Sequence, residues 1–304
     1  MNPNVLAGLL NVVMVLVAAP FFQGLQRKIT ARIQARQGPP LWQPYFDLFK
    51  LLGKEDIEVG ESPVMQRFAT YLSLAVVLTV AFLVPMGTAA PGEGIGDAIV
   101  LTYLLTLMGI CTMMAGMAAG STYSLVGISR EMMSMVTLEP LFAVAVLVGA
   151  LHARSLHLDQ VFNGASYSTQ GVPWSGLVML ALMILAFQAF VQRLPFDMSE
   201  AETELMEGPL MEYSGPKLAL FEFAHMAKLV VFSAMFIGLF VPWGEALYAP
   251  LAWLVFWVKA LVLVVLVAVV AAVHARYRID QAIRYFAAMT LVSLGALILA
   301  VYGY

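Results

Sequence analysis

Eight apolar runs, each close to the length that crosses a bilayer, dominate this chain. They lie near residues 4–24, 67–88, 97–119, 132–151, 173–192, 218–241, 250–273 and 281–302. A helix needs roughly 20 apolar residues to traverse the hydrocarbon core. No water reaches the backbone there, so a spanning segment must satisfy its own polar groups, as a helix or in a closed barrel. A barrel requires alternating strands of about ten residues, and no such alternation runs through the sequence. The expected fold is therefore all-α: a polytopic membrane helix bundle of about eight transmembrane helices with an amphipathic cytoplasmic helix. Composition agrees, with 61% hydrophobic and 12% charged residues, where a soluble domain carries about 25% charge.

The 304 residues contain no Gly/Ser linker and no stretch of soluble-domain size, so one transmembrane domain over 1–304 is expected. Its cytoplasmic loops are placed near 25–66, 120–131, 193–217 and 274–280. No internal repeat is evident, which argues against inverted-repeat carriers. The first run has neither a basic segment before it nor a small-residue cleavage site after it, and reads as a retained helix. Cys111 is the single cysteine, so neither an intrachain disulfide nor a cysteine-held metal cluster is expected. His152 and His157 have no ligand partners at metal spacing and read as surface residues on the outward side. The 19 methionines are scattered, as packing residues are.

Loop charge sets the expected orientation. Arg27, Lys28, Arg32, Arg36, Lys50, Lys54, Arg67, Arg130, Arg193, Lys217, Arg276, Arg278 and Arg284 fall in loops on one side, and the opposite loops hold Arg154. Basic loops stay in the cytoplasm. Both termini then face outward.

Residues 193–215, RLPFDMSEAETELMEGPLMEYSG, are the polar anomaly. Asp197, Glu200, Glu202, Glu204, Glu207 and Glu212 crowd there against Arg193, with long apolar runs on either side. Carboxylates at a bilayer edge lose hydration and repel one another, which raises and spreads their pKa values. Such groups can hold or pass protons near neutral pH. A solvated acidic loop is the plainer reading. Against it, Leu194, Phe196, Met198, Leu205 and Met206 keep apolar partners at helical spacing, and Tyr-Ser-Gly-Pro turns the chain back into the membrane.

The cytoplasmic stretch 25–66 opens as a helical continuation of the first span, with Lys28, Arg32 and Arg36 at four-residue spacing on one face. Gly38-Pro39-Pro40 breaks it. An amphipathic helix follows, with Tyr45, Phe46, Phe49 and Leu52 on an apolar face and Asp47, Lys50 and Lys54 opposite. It suits a lipid surface or a docking platform for a soluble subunit. Four carboxylates follow in EDIEVGES. Within the spans, Glu139 precedes Pro140, and Glu131 lies two turns earlier, at the expected cytoplasmic end of that helix. Glu222, His225 and Lys228 recur every three residues, and Lys259 lies in the seventh span. Charge in hydrocarbon is costly, so these face the interior, either as structural ion pairs such as Glu139 with Lys228 or as a polar path.

The acidic segment resembles the signature loop of the NuoH/ND1-like membrane subunit shared by respiratory complex I and the energy-converting, membrane-bound NiFe-hydrogenases. RQGPPLWQPYFDLFKLLGKED resembles the other signature: an Arg-x-Gly-Pro turn, then an amphipathic helix ending Lys-Leu-Leu-x-Lys-Glu. The likeness covers nearly the whole chain. Complex I members carry Ala-Gly-Tyr-His-Thr-Glu-Tyr-Ser-Gly where this chain has Glu207-Gly208-Pro209-Leu210-Met211-Glu212-Tyr213-Ser214-Gly215, a form similar to the hydrogenase branch (HycD/EchB-like). The resemblance implies a membrane anchor and coupling subunit without catalytic residues or cofactors of its own. Partners would carry the NiFe centre and the 4Fe-4S clusters: hydrogenase-like large and small subunits and a ferredoxin-like Fe-S subunit, beside antiporter-like membrane subunits and membrane lipid. Nucleic acid is not an expected partner. Asp197, Glu200, Glu202, Glu204, Glu207 and Glu212 would link the redox arm to an ion path through Glu131, Glu139, Glu222, His225 and Lys228. Arg27, Arg32, Arg36, Tyr45, Asp47, Lys50 and Lys54 would dock partners. The alternatives are a quinone-reducing complex I subunit, a stand-alone ion transporter and a purely structural anchor.

Overall fold

The computed structural model describes residues 3–57, 62–87, 96–162, 173–241, 243 and 249–303, with backbone alone for residues 3, 4, 202, 203 and 249. The chain runs α1 (Pro3–Ile33), α2 (Gln43–Leu52), α3 (Pro63–Leu83), α4 (Ala98–Ala119), α5 (Thr122–Ala153), α6 (Leu158–Val161), α7 (Trp174–Phe190), α8 (Glu202–Leu205), a 3-10 turn (Gly208–Leu210), α9 (Gly215–Phe240), α10 (Ala249–Val273) and α11 (Ile279–Val301). Among the described residues no strand forms, and one isolated bridge joins Asp97 to His157. Among the described residues seven helices are long and apolar enough to span a membrane, and α7 is the shorter eighth. At 17 residues, α7 measures about 25 Å, shorter than the other spans.

The most apolar window of α9 is 83% buried, against 28–50% in the other spans, which places α9 at the centre. It packs against α1, α3, α7 and α10, and α5 packs against α4, α7 and α11. Phe142, Phe190 and Phe232 interlock where α5, α7 and α9 meet, with centroids 5.5–6.2 Å apart. Leucine and valine on the outer faces of α1, α10 and α11 stay exposed. That suits helices whose outer solvent is hydrocarbon, where close packing takes over from the hydrophobic effect.

Two expectations are corrected. The expected loop at 120–131 is helix. Gly120 ends α4 in the left-handed conformation, and Ser121 Oγ accepts from Ser124 N at 3.2 Å to cap α5. The cap lets the helix start before the charged Arg130-Glu131 pair, which had masked it in the sequence. Glu131 is therefore several turns inside α5 and buried. Second, Arg36 does not continue the basic face of α1. That helix ends at Ile33, and Ala35 turns left-handed (φ 56°) with Arg36 N bonded to Ala31 O at 2.7 Å. His157 is exposed and pairs with Asp97 at 3.3 Å, and the half-buried His152 meets Ser175 Oγ at 2.9 Å.

Candidate functional site

The acidic segment is folded into the protein. Pro195, Phe196, Met198, Ser199, Ala201, Leu205, Pro209 and Tyr213 are buried. Phe196 sits among Tyr277, Tyr285 and Phe286, with centroids 5.3, 5.6 and 5.0 Å away. Tyr213 Oη donates to Ala115 O at 3.0 Å. Buried irregular backbone is tolerated where protein covers it, and these contacts supply the cover. Met206, Glu207 and Gly208 are consecutively left-handed (φ 48°, 72° and 53°). Gly208 is required twice over: a Cβ there would collide with Ser199 O, and its φ disfavours any side chain.

Fixed in this way, the loop presents its charges to α5, α9 and the α10–α11 turn. Asp197 Oδ2 pairs with Arg276 Nη2 at 3.1 Å. Glu204 pairs with Arg130 of α5 at 2.8 Å, and Arg130 also reaches Met198 O at 3.4 Å. Glu200 Oε1 lies 3.6 Å from His225 Nδ1 of α9. Arg193 donates to Gln23 Oε1 of α1 at 2.6 Å and lies in the field of Glu200, Glu222 and Asp197. Burial pushes the Glu200 carboxyl up to about 8. Asp197 adds repulsion, Arg193 opposes it, and Glu222 and Glu131 raise it further. The Arg130 hydrogen bond and charge hold Glu204 below its usual value. Two loop carboxyls are thus driven in opposite directions, one toward carrying a proton at neutral pH and one toward permanent charge.

Two cavities continue inward. The smaller, about 20 Å³, is lined by Glu200, Ser199, Gln192, Glu131 and Thr112. The larger, about 70 Å³, is lined by Glu131, Gln192 and Ser199 and extends to Thr106, Ser134, Glu139 and Lys228. A water needs roughly 10–15 Å³ and two or more polar partners, so the smaller admits one water and the larger several. The Gln192 amide donates to Glu131 Oε1 between them. Glu139 and Lys228 line the larger cavity without a direct ion pair, and Lys228 Nζ lies 5.9 Å from the Phe232 ring centroid.

The expected residues divide accordingly. Asp197, Glu200, Glu222, His225, Glu131, Glu139 and Lys228 share one electrostatic network with Arg193. Glu204 stands at its rim. Glu207 is exposed, and neither Glu207 nor Glu212 lines either of these two cavities. The side chain of Glu202 lies outside the described residues, as do Glu58 and Glu61. Arg130, Gln192, Gln23 and Arg276 complete the site from other elements. Their partners lie 61 to 170 positions away, and no local pattern marks such distances.

The platform helix α2 is held by Tyr45 Oη on Val17 O, by Arg27 on Asp47 at 3.3 Å, and by Gln43 on Asp47 at 2.9 Å. Tyr45 therefore turns inward and leaves the expected apolar face. Phe46 and Phe49, 63% and 70% exposed, form that face with Trp42 and Leu52. Arg32, Arg36, Lys50 and Lys54 are exposed beside it. Lys217 pairs with Asp56 at 3.2 Å, tying the chain after α2 to the start of α9. Among the described residues no group of three or more His, Cys, Asp or Glu is arranged to hold a metal.

The family described as NADH dehydrogenase matches residues 6–301. Hydrogenase-4 component C of Escherichia coli (strain K12) is 36% identical over 253 residues, 82% of this chain and 79% of that protein. NADH-ubiquinone oxidoreductase chain 1 of Paracentrotus lividus is 30% identical over 279 residues, 88% of this chain and 84% of that protein. Among solved structures, a chain of the membrane-bound sulfane sulfur reductase, an archaeal respiratory membrane complex, superposes with TM-score 0.85 at 25% identity. That match covers 97% of this chain and 98% of the other.

Proposed function

Because this chain belongs to the NADH dehydrogenase family, we propose that it is the membrane anchor and coupling subunit of an energy-converting NiFe-hydrogenase. It is an integral membrane protein and a subunit of an oxidoreductase complex. The observation that carries the coupling role is the set of ionisable groups that line two neighbouring cavities, Glu200 and Glu131 at the smaller and Glu131, Glu139 and Lys228 at the larger. The likeness to hydrogenase-4 component C supports the hydrogenase branch.

In this reading the redox chemistry belongs to soluble partners. The NiFe centre joins two protons and two electrons into H2, and 4Fe-4S clusters deliver the electrons. Arg32, Arg36, Lys50, Lys54 and the exposed face of α2 receive those partners on the cytoplasmic side, with both termini outward. A change of charge beside the acidic loop shifts the balance among Asp197, Glu200, Arg193 and Glu222. Glu200, held near neutrality, exchanges a proton or its field with Glu131. Glu139 and Lys228 pass the change toward an antiporter-like subunit that moves H+ or Na+. This chain's residues hold and relay charge, and none of them reacts with substrate.

A second reading, a subunit of a sulfur-reducing or quinone-reducing respiratory complex, draws on the sulfane sulfur reductase structure and the NADH-ubiquinone oxidoreductase relative. One preparation separates them. The complex purified through this chain in mild detergent is assayed for bound nickel and for products. Nickel with H2 evolution supports the hydrogenase. Sulfide release from sulfane sulfur, or NADH oxidation with bound flavin, each without nickel, replaces it.

A further inference from the structure

Three residues are shared by the two cavities. Glu131, Gln192 and Ser199 line both, Glu200 lines only the smaller, and Glu139 and Lys228 line only the larger. Glu131 is 3% exposed. A carboxylate so buried needs a donor, and among the described residues the Gln192 amide is the side chain that supplies it. The amide cannot titrate, so it contributes position and no charge of its own. The charged groups facing Glu131 are Lys228 from α9, Glu200 from the loop and Glu139 on its own helix. The residues of α4, α7 and α11 that line the cavities bear no charge.

The backbone at Gln192 argues for a different residue. Gln192 is left-handed, with φ 54°. Its N–H bonds to Ala189 O at 3.0 Å, and the N–H of Arg193 bonds to Gln188 O at 3.2 Å. This is the paired-bond helix ending whose left-handed position glycine usually fills, and asparagine sometimes. A longer side chain meets its own backbone there. Retained strain at a site of this kind points to a task for the side chain.

We infer that Gln192 is a positioning residue that pins the Glu131 carboxylate in the wall between the two cavities, so that Glu200 reaches Glu139 and Lys228 through one held carboxylate and not through continuous water. The inference rests on the coupling role proposed above. With the amide gone, Glu131 is free to swing away, the wall opens, and the water-sized spaces on either side join. Charge then equilibrates along the water without doing work on the partner.

The test uses the intact complex carrying Gln192→Asn or Gln192→Gly. Both residues accept the left-handed backbone better than glutamine, which offsets part of the cost of leaving Glu131 without its donor, so the complex is expected to assemble. Asparagine is one methylene too short to reach Glu131, and glycine has no amide. The expected result is wild-type electron transfer with ion uptake per electron reduced roughly two- to thirtyfold, the range a residue on a coupling network commands. Uptake is read in proteoliposomes with a pH-sensitive dye for H+ and isotopic Na+. The infrared carboxyl band of Glu131, assigned by its loss in Glu131→Gln, should also shift in both variants. Full uptake by the Gln192 variants, with or without a band shift, overturns the inference. Glu131→Gln run in parallel keeps the two ideas apart. If it pumps fully, the coupling path itself is wrong. If it uncouples while the Gln192 variants do not, only the role of Gln192 falls.

Discussion

Arg276 Nη2 lies 3.1 Å from Asp197 Oδ2, joining residues 79 positions apart, and neither side chain keeps more than 19% of its surface exposed. The pair fastens the acidic loop to the turn between α10 and α11, beside the Tyr277 N to Pro195 O bond of 3.0 Å. Arg276→Ala leaves a half-enclosed aspartate short of its partner. Both residues make further interactions, so the expected loss is roughly 2–3 kcal/mol, the low end for breaking a buried pair. Thermal unfolding of the complex in detergent measures it, and an unchanged midpoint contradicts the fastening role.

The Glu200 carboxyl, pushed up to about 8 from an ordinary 4.5, makes two pH predictions. Between those values the folded protein binds more protons at this group than the unfolded chain does. Its contribution to stability is therefore full below the ordinary value and declines as pH rises through about 8. Ion uptake per electron should also show a limb near that pH. In Glu200→Gln the limb should vanish and uptake should fall, while electron transfer persists. A variant that keeps the limb locates the titrating group elsewhere.

Glu204 and Arg130 behave oppositely. Arg130 holds the Glu204 carboxyl below its usual value, so whatever the pair adds to stability is present above the ordinary carboxylate range and lost in acid. With the Glu204 side chain 54% exposed, that addition is small. Glu204→Gln should leave stability nearly untouched and reduce pumping. Full pumping with intact assembly removes Glu204 from the path, and Glu212→Gln, which touches neither cavity, is the informative comparison.

Gly208→Ala should be severe. The added Cβ runs into Ser199 O in a left-handed backbone. Left-handed strain costs about 1–2 kcal/mol and overpacking a further 1–3 or so. Loss of assembled complex on native gels is the expected outcome, and normal assembly shows that the loop can move aside.

Phe46→Ser with Phe49→Ser removes two exposed rings from α2. The bundle should remain as stable as before, because neither ring is packed within it. Recovery of soluble redox subunits with the purified chain should drop. Undiminished recovery assigns this face to lipid.

The membrane bundle, the interfacial helix and the acidic loop were legible in the sequence because each rests on local composition. A run of apolar residues, a 3.6-residue apolar stripe and a cluster of carboxylates carry their physics with them. Local charge also misled, since Arg130-Glu131 concealed ten residues of helix that a serine cap had already started. Basic spacing likewise placed Arg36 on a helix that ends before it.

What composition determined alone was solvent and class: hydrocarbon outside, helices throughout, and one cluster of carboxylates between two apolar runs. Tertiary structure decided which carboxylates matter. Glu200 and Glu204 lie four positions apart in one acidic run, yet burial among Asp197, Glu222 and Glu131 raises one pKa while Arg130 lowers the other. Their difference arises from desolvation first and from charged groups both within the run and on other elements, because desolvation and Coulomb fields depend on distance in space and not on order along the chain.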